Sequence, residues 1–114
     1  MKQHEEHILK AWEDRELLKN PATVKLIEEC IEAIDKGELR CAEKVDGEWQ
    51  VHEWVKKAVI LYFPTRKMES LEAGPLEFHD KIPLKKNYKE LGIRVVPHAI
   101  ARHGAYVASG VVMM

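Results

Sequence analysis

Neither sign of charge is in excess in this sequence: eighteen Lys and Arg stand against nineteen Asp and Glu, a formal net charge of −1 at pH 7. Without a basic field nothing holds a phosphate backbone, so nucleic acid is not an expected partner. Cysteine is scarce. Cys30 and Cys41 lie too far apart for a C-x-x-C redox or zinc motif, and two reduced thiols, at least one of them packed, are expected. No apolar run reaches bilayer length, because Arg94, Pro97, His98, Arg102 and His103 interrupt the most apolar segment. No membrane partner is expected. The N-terminus, MKQHEEHILKAWEDRE, lacks the apolar stretch and small-residue cleavage site of a secretory signal, which makes the cytoplasm the expected location. Finally, no acidic residue follows Glu90.

What is present fits a globular chain. The hydrophobic fraction of 46% over 114 residues suits one domain, or one domain and part of another. Ile8, Leu9, Trp12, Leu17 and Leu18 predict an amphipathic helix from His4 to about Lys19. Asn20 and Pro21 read as the cap and first residue of a second helix, whose apolar face is Val24, Ile27, Cys30, Ile31 and Ile34, with Lys36-Gly37 as its stop. RCAEKVDGEWQV predicts a β-hairpin about Asp46-Gly47, and such a hairpin is expected to lie on the neighbouring helices. HEWVKKAVILYFP carries conflicting signals, helix or buried strand, and length favours a helix ending before Pro64. Lys56 and Lys57 are expected on its wet face. Residues 65–86 read as a long irregular connection with short extended pieces, and KKNYKELG as one or two helical turns closed by Gly92.

Past Gly92 the pattern changes to a period of six. Val95, Ala101, Val107 and Met113 mark it, with small or β-branched Ala99, Ala105 and Val111 four residues after the first three. This suits the hexapeptide repeat of a left-handed parallel β-helix, in which three hexapeptides make one triangular coil. A pair of ordinary strands with a turn at Gly104 fits the spacing as well. The predicted fold class is thus α+β: a helical and hairpin domain over 1–92, then the first β-helix coil over 93–114.

Three blocks carry a family resemblance: ELRCAEKVDGEWQVHEWVKKAVIL, DKIPLK and GIRVVPHAIARHGAYVASGVVMM. Together they resemble the N-terminal region of the bacterial tetrahydrodipicolinate N-succinyltransferases. The resemblance runs from about Glu38 to Met114, more loosely through the first two helices, and covers less than half of the family's length. It implies an acyltransferase of diaminopimelate and lysine biosynthesis that moves succinyl from succinyl-CoA to the amine of a ring-opened dicarboxylate. It also implies a homotrimer with sites between neighbouring β-helices. The family's catalytic carboxylate and CoA groove lie beyond the matching region. No catalytic, cofactor-binding or metal-binding residue is therefore assigned within these 114 residues, and alone they are expected to be inactive.

A dicarboxylate substrate calls for fixed cations, and arginine's planar fork suits a carboxylate. Arg94, in GIRVVP, matches the segment that supplies a substrate-binding arginine in the family; without the resemblance it reads as a solvated strand residue. Arg102, in ARHGAY, is the second substrate-binding candidate. His98 and His103 invite a catalytic reading, but the family does not rely on a histidine here and often has a second proline where His98 stands. Both are read as surface or interface residues. His4 and His7 lack a third ligand for a metal. Two readings compete with the family's: a non-catalytic α+β interaction module, and a hexapeptide acyltransferase with a different acceptor.

Overall fold

The computed structural model describes all 114 residues. Helix α1 spans Lys2–Glu13, and the chain then turns through a short 3₁₀ segment, Arg15–Lys19. The expected single helix to Lys19 is therefore broken at Asp14. Its backbone is extended and its side chain accepts the Glu16 N–H at 3.2 Å, the capping role that aspartate favours over a helix interior. Helix α2, Pro21–Asp35, begins as its sequence requires: Asn20 accepts the Ala22 N–H at 3.0 Å, and Pro21 occupies the first position. Gly37 ends it with φ of 76°. A side chain there would also strike Tyr106, whose ring lies 2.8 Å from where a Cβ would stand. Only glycine meets both demands.

Helix α3, Glu53–Tyr62, settles the conflict in HEWVKKAVILYFP in favour of a helix. Val55, Ala58, Leu61 and Tyr62 face inward and Ile60 faces out. Pro64 sits in a closing 3₁₀ turn, Phe63–Thr65, where Thr65 Oγ1 donates to the Tyr62 carbonyl at 2.6 Å. The three helices pack together around Ile8, Ala11, Ile27, Cys30, Ile31 and Leu61. No helix is long and apolar enough to cross a membrane.

Strands β1, Ala42–Val45, and β2, Glu48–Val51, form the expected hairpin. Asp46 and Gly47 both have positive φ, 50° and 82°, as a type I′ turn demands. The expectation that it lies on the helices is not met. Trp49 and Val51 are each 70% exposed, and the polar face carrying Glu43 and Gln50 is open as well. The hairpin is held at its base, where His52 donates its N–H to the Cys41 carbonyl and its ring meets Glu43 at 3.2 Å.

A second hairpin replaces the irregular connection expected over 65–86. Strand β3, Glu69–Ala73, pairs with β4, Leu76–Asp80, around Gly74-Pro75. With φ of 62° at Gly74, this is the Gly-first pattern of a type II′ turn, in which the following proline does no harm. Leu71, Ala73, Leu76 and Phe78 share one face, while Ser70, Glu72, Glu77 and His79 share the other.

Helix α4, Tyr88–Leu91, closes at Gly92 with φ of 72°, as expected. Strand β5, Arg94–Val95, then pairs in parallel with β6, Val112–Met113. Partners are eighteen residues apart (112 − 94 = 18), so an antiparallel pair turning at Gly104 is excluded. Val95, Ala101, Val107 and Met113 are half-buried, whereas the residue before each, Arg94, Ile100, Tyr106 and Val112, is exposed. The six-residue period thus separates inside from outside.

The three two-stranded sheets stay separate, and the molecule is a plate of 41 × 41 × 18 Å. Its radius of gyration, 15.8 Å, exceeds the roughly 13 Å of a compact domain of this length. Because the hairpins add nothing to the helical core, Trp49→Ala should change the urea-unfolding free energy by no more than about 0.5 kcal/mol. Leu61→Ala, in contrast, should cost about 2–5 kcal/mol. A Trp49 loss as large as the Leu61 loss would show that the hairpin is packed.

Candidate functional site

The closed turn formed by the tail presents Arg94. Ile93, next to it, is buried and anchors the strand. The Arg94 N–H donates to the Val111 carbonyl at 3.1 Å, Val96 to Met113 at 2.9 Å, and Gly110 to Gly92 at 2.8 Å. Backbone on both sides of Arg94 is therefore fixed while its side chain stays exposed and makes no ion pair. A guanidinium on a rigid base with all its donors free is ready for an anion.

Arg102 stands elsewhere and shares no partner with Arg94. Its residue bridges Leu84 across an antiparallel pair, and its guanidinium lies 3.6 Å from Asp80 and 5.6 Å from the Phe63 ring centroid. Backbone N–H of Lys81 holds the Asp80 carboxyl below the usual range against slight desolvation, helped by Ile82 N–H and by Arg102. The two candidate arginines thus serve different surroundings.

What joins the tail to the helices is Asp35, at the end of α2. A single oxygen, Oδ1, accepts from Lys85 Nζ at 2.8 Å and from the Gly104 N–H at 2.9 Å. The Lys85 side chain is only 4% exposed. Two backbone bonds run alongside, Lys85 N–H to Ala101 O at 2.9 Å and His103 N–H to Pro83 O at 2.8 Å. Burial alone would push the Asp35 carboxyl up. Hydrogen bonds from Lys85 and Gly104, with the charges of Lys85 and His103, outweigh it and hold the group below 3.8.

The remaining candidates are accounted for by local contacts. His103 lies with Nε2 3.5 Å from Glu32 and Nδ1 3.7 Å from Asp35, so it ties the tail to α2, while His98 is exposed. His4 reaches Glu29 at 2.9 Å, whereas His7 turns back to the Gln3 carbonyl at 2.8 Å, and the two share no partner. Lys56 is exposed as expected. Lys57 instead lies 5.4 Å over the Trp12 ring, which Arg15 approaches from 4.8 Å. Cys41 is exposed, and burial, aided by Glu29, pushes the Cys30 thiol up to about 11, so it remains an unreactive core group.

Two hollows flank the junction. An open polar groove of about 850 Å³ separates α2 from residues 83–87, with Glu28 and Glu32 on one side and Arg66 and Lys86 on the other. An apolar cavity of about 260 Å³ lies between the helices and the tail, beside Arg102. Sequence reasoning missed Asp35, Lys85 and the cavity. A lysine that stands between Leu84 and a second lysine, Lys86, in IPLKK gives no sign that it will be buried.

Comparison with known proteins decides the family. The family model described as tetrahydrodipicolinate N-succinyltransferase N-terminal matches residues 3–65, more than half of the chain. The chain belongs to this family. Among curated relatives, the 2,3,4,5-tetrahydropyridine-2,6-dicarboxylate N-succinyltransferase of Acinetobacter baylyi is 46% identical over 101 residues, covering 82% of this chain and 37% of the relative. That of Pseudoalteromonas translucida is 41% identical over 115 residues, 91% and 41% respectively. That of Coxiella burnetii is 49% identical over 92 residues, 77% and 34%. The chain spans roughly two fifths or less of the length of these family members.

Asp35 generates a signed pH dependence. Its folded pKa is depressed, so its contribution to stability is complete above its ordinary value of 3.8 and is lost as pH falls through the folded value. Stability should be insensitive to this group from neutrality down to about pH 4 and fall below that. Asp35→Ala leaves the Lys85 ammonium buried without a partner and should cost about 3 kcal/mol or more. Urea midpoints measured across pH for both proteins check this, and the variant should lose the Asp35 part of the acid slope.

Proposed function

We propose that the chain is the amino-terminal part of an acyltransferase moving succinyl from succinyl-CoA to the amine of ring-opened tetrahydrodipicolinate, in diaminopimelate and lysine biosynthesis. In this reading residues 93–114 form the first coil of a left-handed parallel β-helix. The observation that carries the structural half is the parallel pairing of Arg94 with Val112, because eighteen residues are three hexapeptides. The family match and the names of the relatives support the chemical half.

The reaction joins the neutral substrate amine to the thioester carbonyl carbon. The tetrahedral oxyanion then collapses, the carbon–sulfur bond breaks, and CoA leaves as its thiolate while a base holds the amine proton. This chain's part is to place the acceptor. Arg94, exposed and unpaired on a fixed strand, holds a substrate carboxylate and so orients the amine. Arg102 ranks second, since Asp80 already stands near its guanidinium. The base and the CoA groove belong to parts of the enzyme outside these residues, which act as a homotrimer in the cytoplasm with sites between neighbouring subunits.

The test is an assay of the full-length enzyme with succinyl-CoA and tetrahydrodipicolinate. Arg94→Ala should lower kcat/KM for the acceptor about 10- to 100-fold with the KM for succinyl-CoA little changed. Arg94→Lys should recover only part of the loss. An unchanged kcat/KM would remove Arg94 from the site. Residues 1–114 alone should show no turnover; measurable turnover would place the whole active site within them.

A further inference from the structure

The apolar cavity at the junction has no part in the reaction proposed above. Its volume is about 260 Å³, and its walls include Ile31, Ile34, Val59, Phe63 and Ile82, from the helical layer and the strand-to-tail connection. Arg102, His103, Gly104 and Ala105 of the tail close the other side. An apolar cavity of about 150 Å³ already accepts benzene and stays dry without it. This one leaves room for a ring of that size together with one small polar substituent.

The polar groups at its edge decide what that substituent is. Asp35 is already occupied by Lys85 and the Gly104 N–H, and Glu32 is paired with Lys36 at 3.3 Å and faces His103. His103 is thus flanked by two carboxylates. Arg102 differs. Its side chain is 53% exposed, and its one carboxylate neighbour, Asp80, is 3.6 Å from a single guanidinium nitrogen, a loose ion pair that leaves the other donors free. The guanidinium stays within 5.6 Å of the Phe63 ring, which is itself part of the cavity wall. A cation with spare donors therefore stands at the rim of an apolar hollow.

We propose that this cavity binds a small monocarboxylate with a compact apolar or aromatic body, the body among Ile31, Ile34, Val59 and Phe63 and the carboxylate on Arg102. The fork of the guanidinium accepts a carboxylate through two parallel hydrogen bonds. A dicarboxylate fits less well, because the wall facing the ring is apolar apart from Tyr62, and His103 already faces Glu32 and Asp35. The site is distinct from the acceptor site assigned to Arg94; it takes Arg102 in place of its second-ranked role there, and it stands whether or not the Arg94 assignment does.

Benzoate and its neutral analogue benzyl alcohol are the probes, titrated into the full-length ²H,¹⁵N-labelled enzyme and followed by two-dimensional TROSY NMR. Benzoate should shift the amides of Ile82 and of residues 102–105 saturably, with a dissociation constant on the order of 1 mM for a ligand of this size. Benzyl alcohol should bind about tenfold more weakly, the difference a charge-assisted bidentate contact supplies. Arg102→Met keeps an apolar stem and should abolish that difference, whereas Asp80→Asn, by releasing the guanidinium, should widen it. Val59→Phe should block both ligands by filling the cavity. Absence of saturable shifts at these amides up to about 20 mM, twenty times the expected constant, would overturn the proposal. So would equal affinity for the two probes, or benzoate binding unaffected by Arg102→Met. If Val59→Phe fails to fold, the paired ligands and Arg102→Met still decide the matter.

Discussion

One carboxylate oxygen holds this molecule together as a unit. Asp35 Oδ1 receives a buried ammonium from the segment before α4 and a backbone N–H from the tail, at the point where α2 ends. The three participants are far apart in sequence, with 50 residues from Asp35 to Lys85 and 69 to Gly104. Each needs the others: a buried ammonium without its carboxylate is costly, and a half-buried N–H without an acceptor adds to that cost. The contacts around it inherit their geometry from this point. Gly37 lies against Tyr106, His103 against Glu32, and Gly104 against Ile31, all on the same seam between α2 and the tail.

That seam explains how a plate with few buried residues fixes the backbone that carries an exposed arginine. The helical core supplies the rigid layer, and the tail is attached to it by polar contacts and a narrow apolar margin. The tail's own hydrogen bonds then hold the strand that bears Arg94. Arg102, closer to the seam, is drawn towards Asp80 and Phe63. The two candidate arginines thus differ in what surrounds them, one free and the other at the mouth of a hollow.

Local rules made much of the fold legible. Asn20-Pro21, Asp46-Gly47 and Gly92 act within a few residues of themselves, and their structures follow from backbone preference. The period of six was legible too, since inside and outside alternate with it. Long-range facts were not. Nothing near Lys85 announces a partner fifty residues earlier, and Asp35 looks like any acidic residue at a helix end. The second hairpin was hidden because Pro75 reads as a breaker, although after a positive-φ glycine it fits the turn. The openness of Trp49 was missed for the opposite reason: a marginal hairpin was presumed to need a platform. For the candidate site, the family pattern pointed to Arg94 and residue type to Arg102 as a second candidate, and the contacts add what surrounds each.

The parallel closure of the tail also makes it a ruler. Val112 meets Arg94 because the intervening chain has one length, and the inward set from Val95 to Met113 depends on that count. Adding one residue between the two strands would carry Val112 into the place of Met113 and turn every following side chain to the opposite face. An extra residue is harmless only if it bulges at a corner. The segment is therefore read in a frame of its own, much as codons are, and changes of length in it are tolerated in whole repeats rather than one residue at a time.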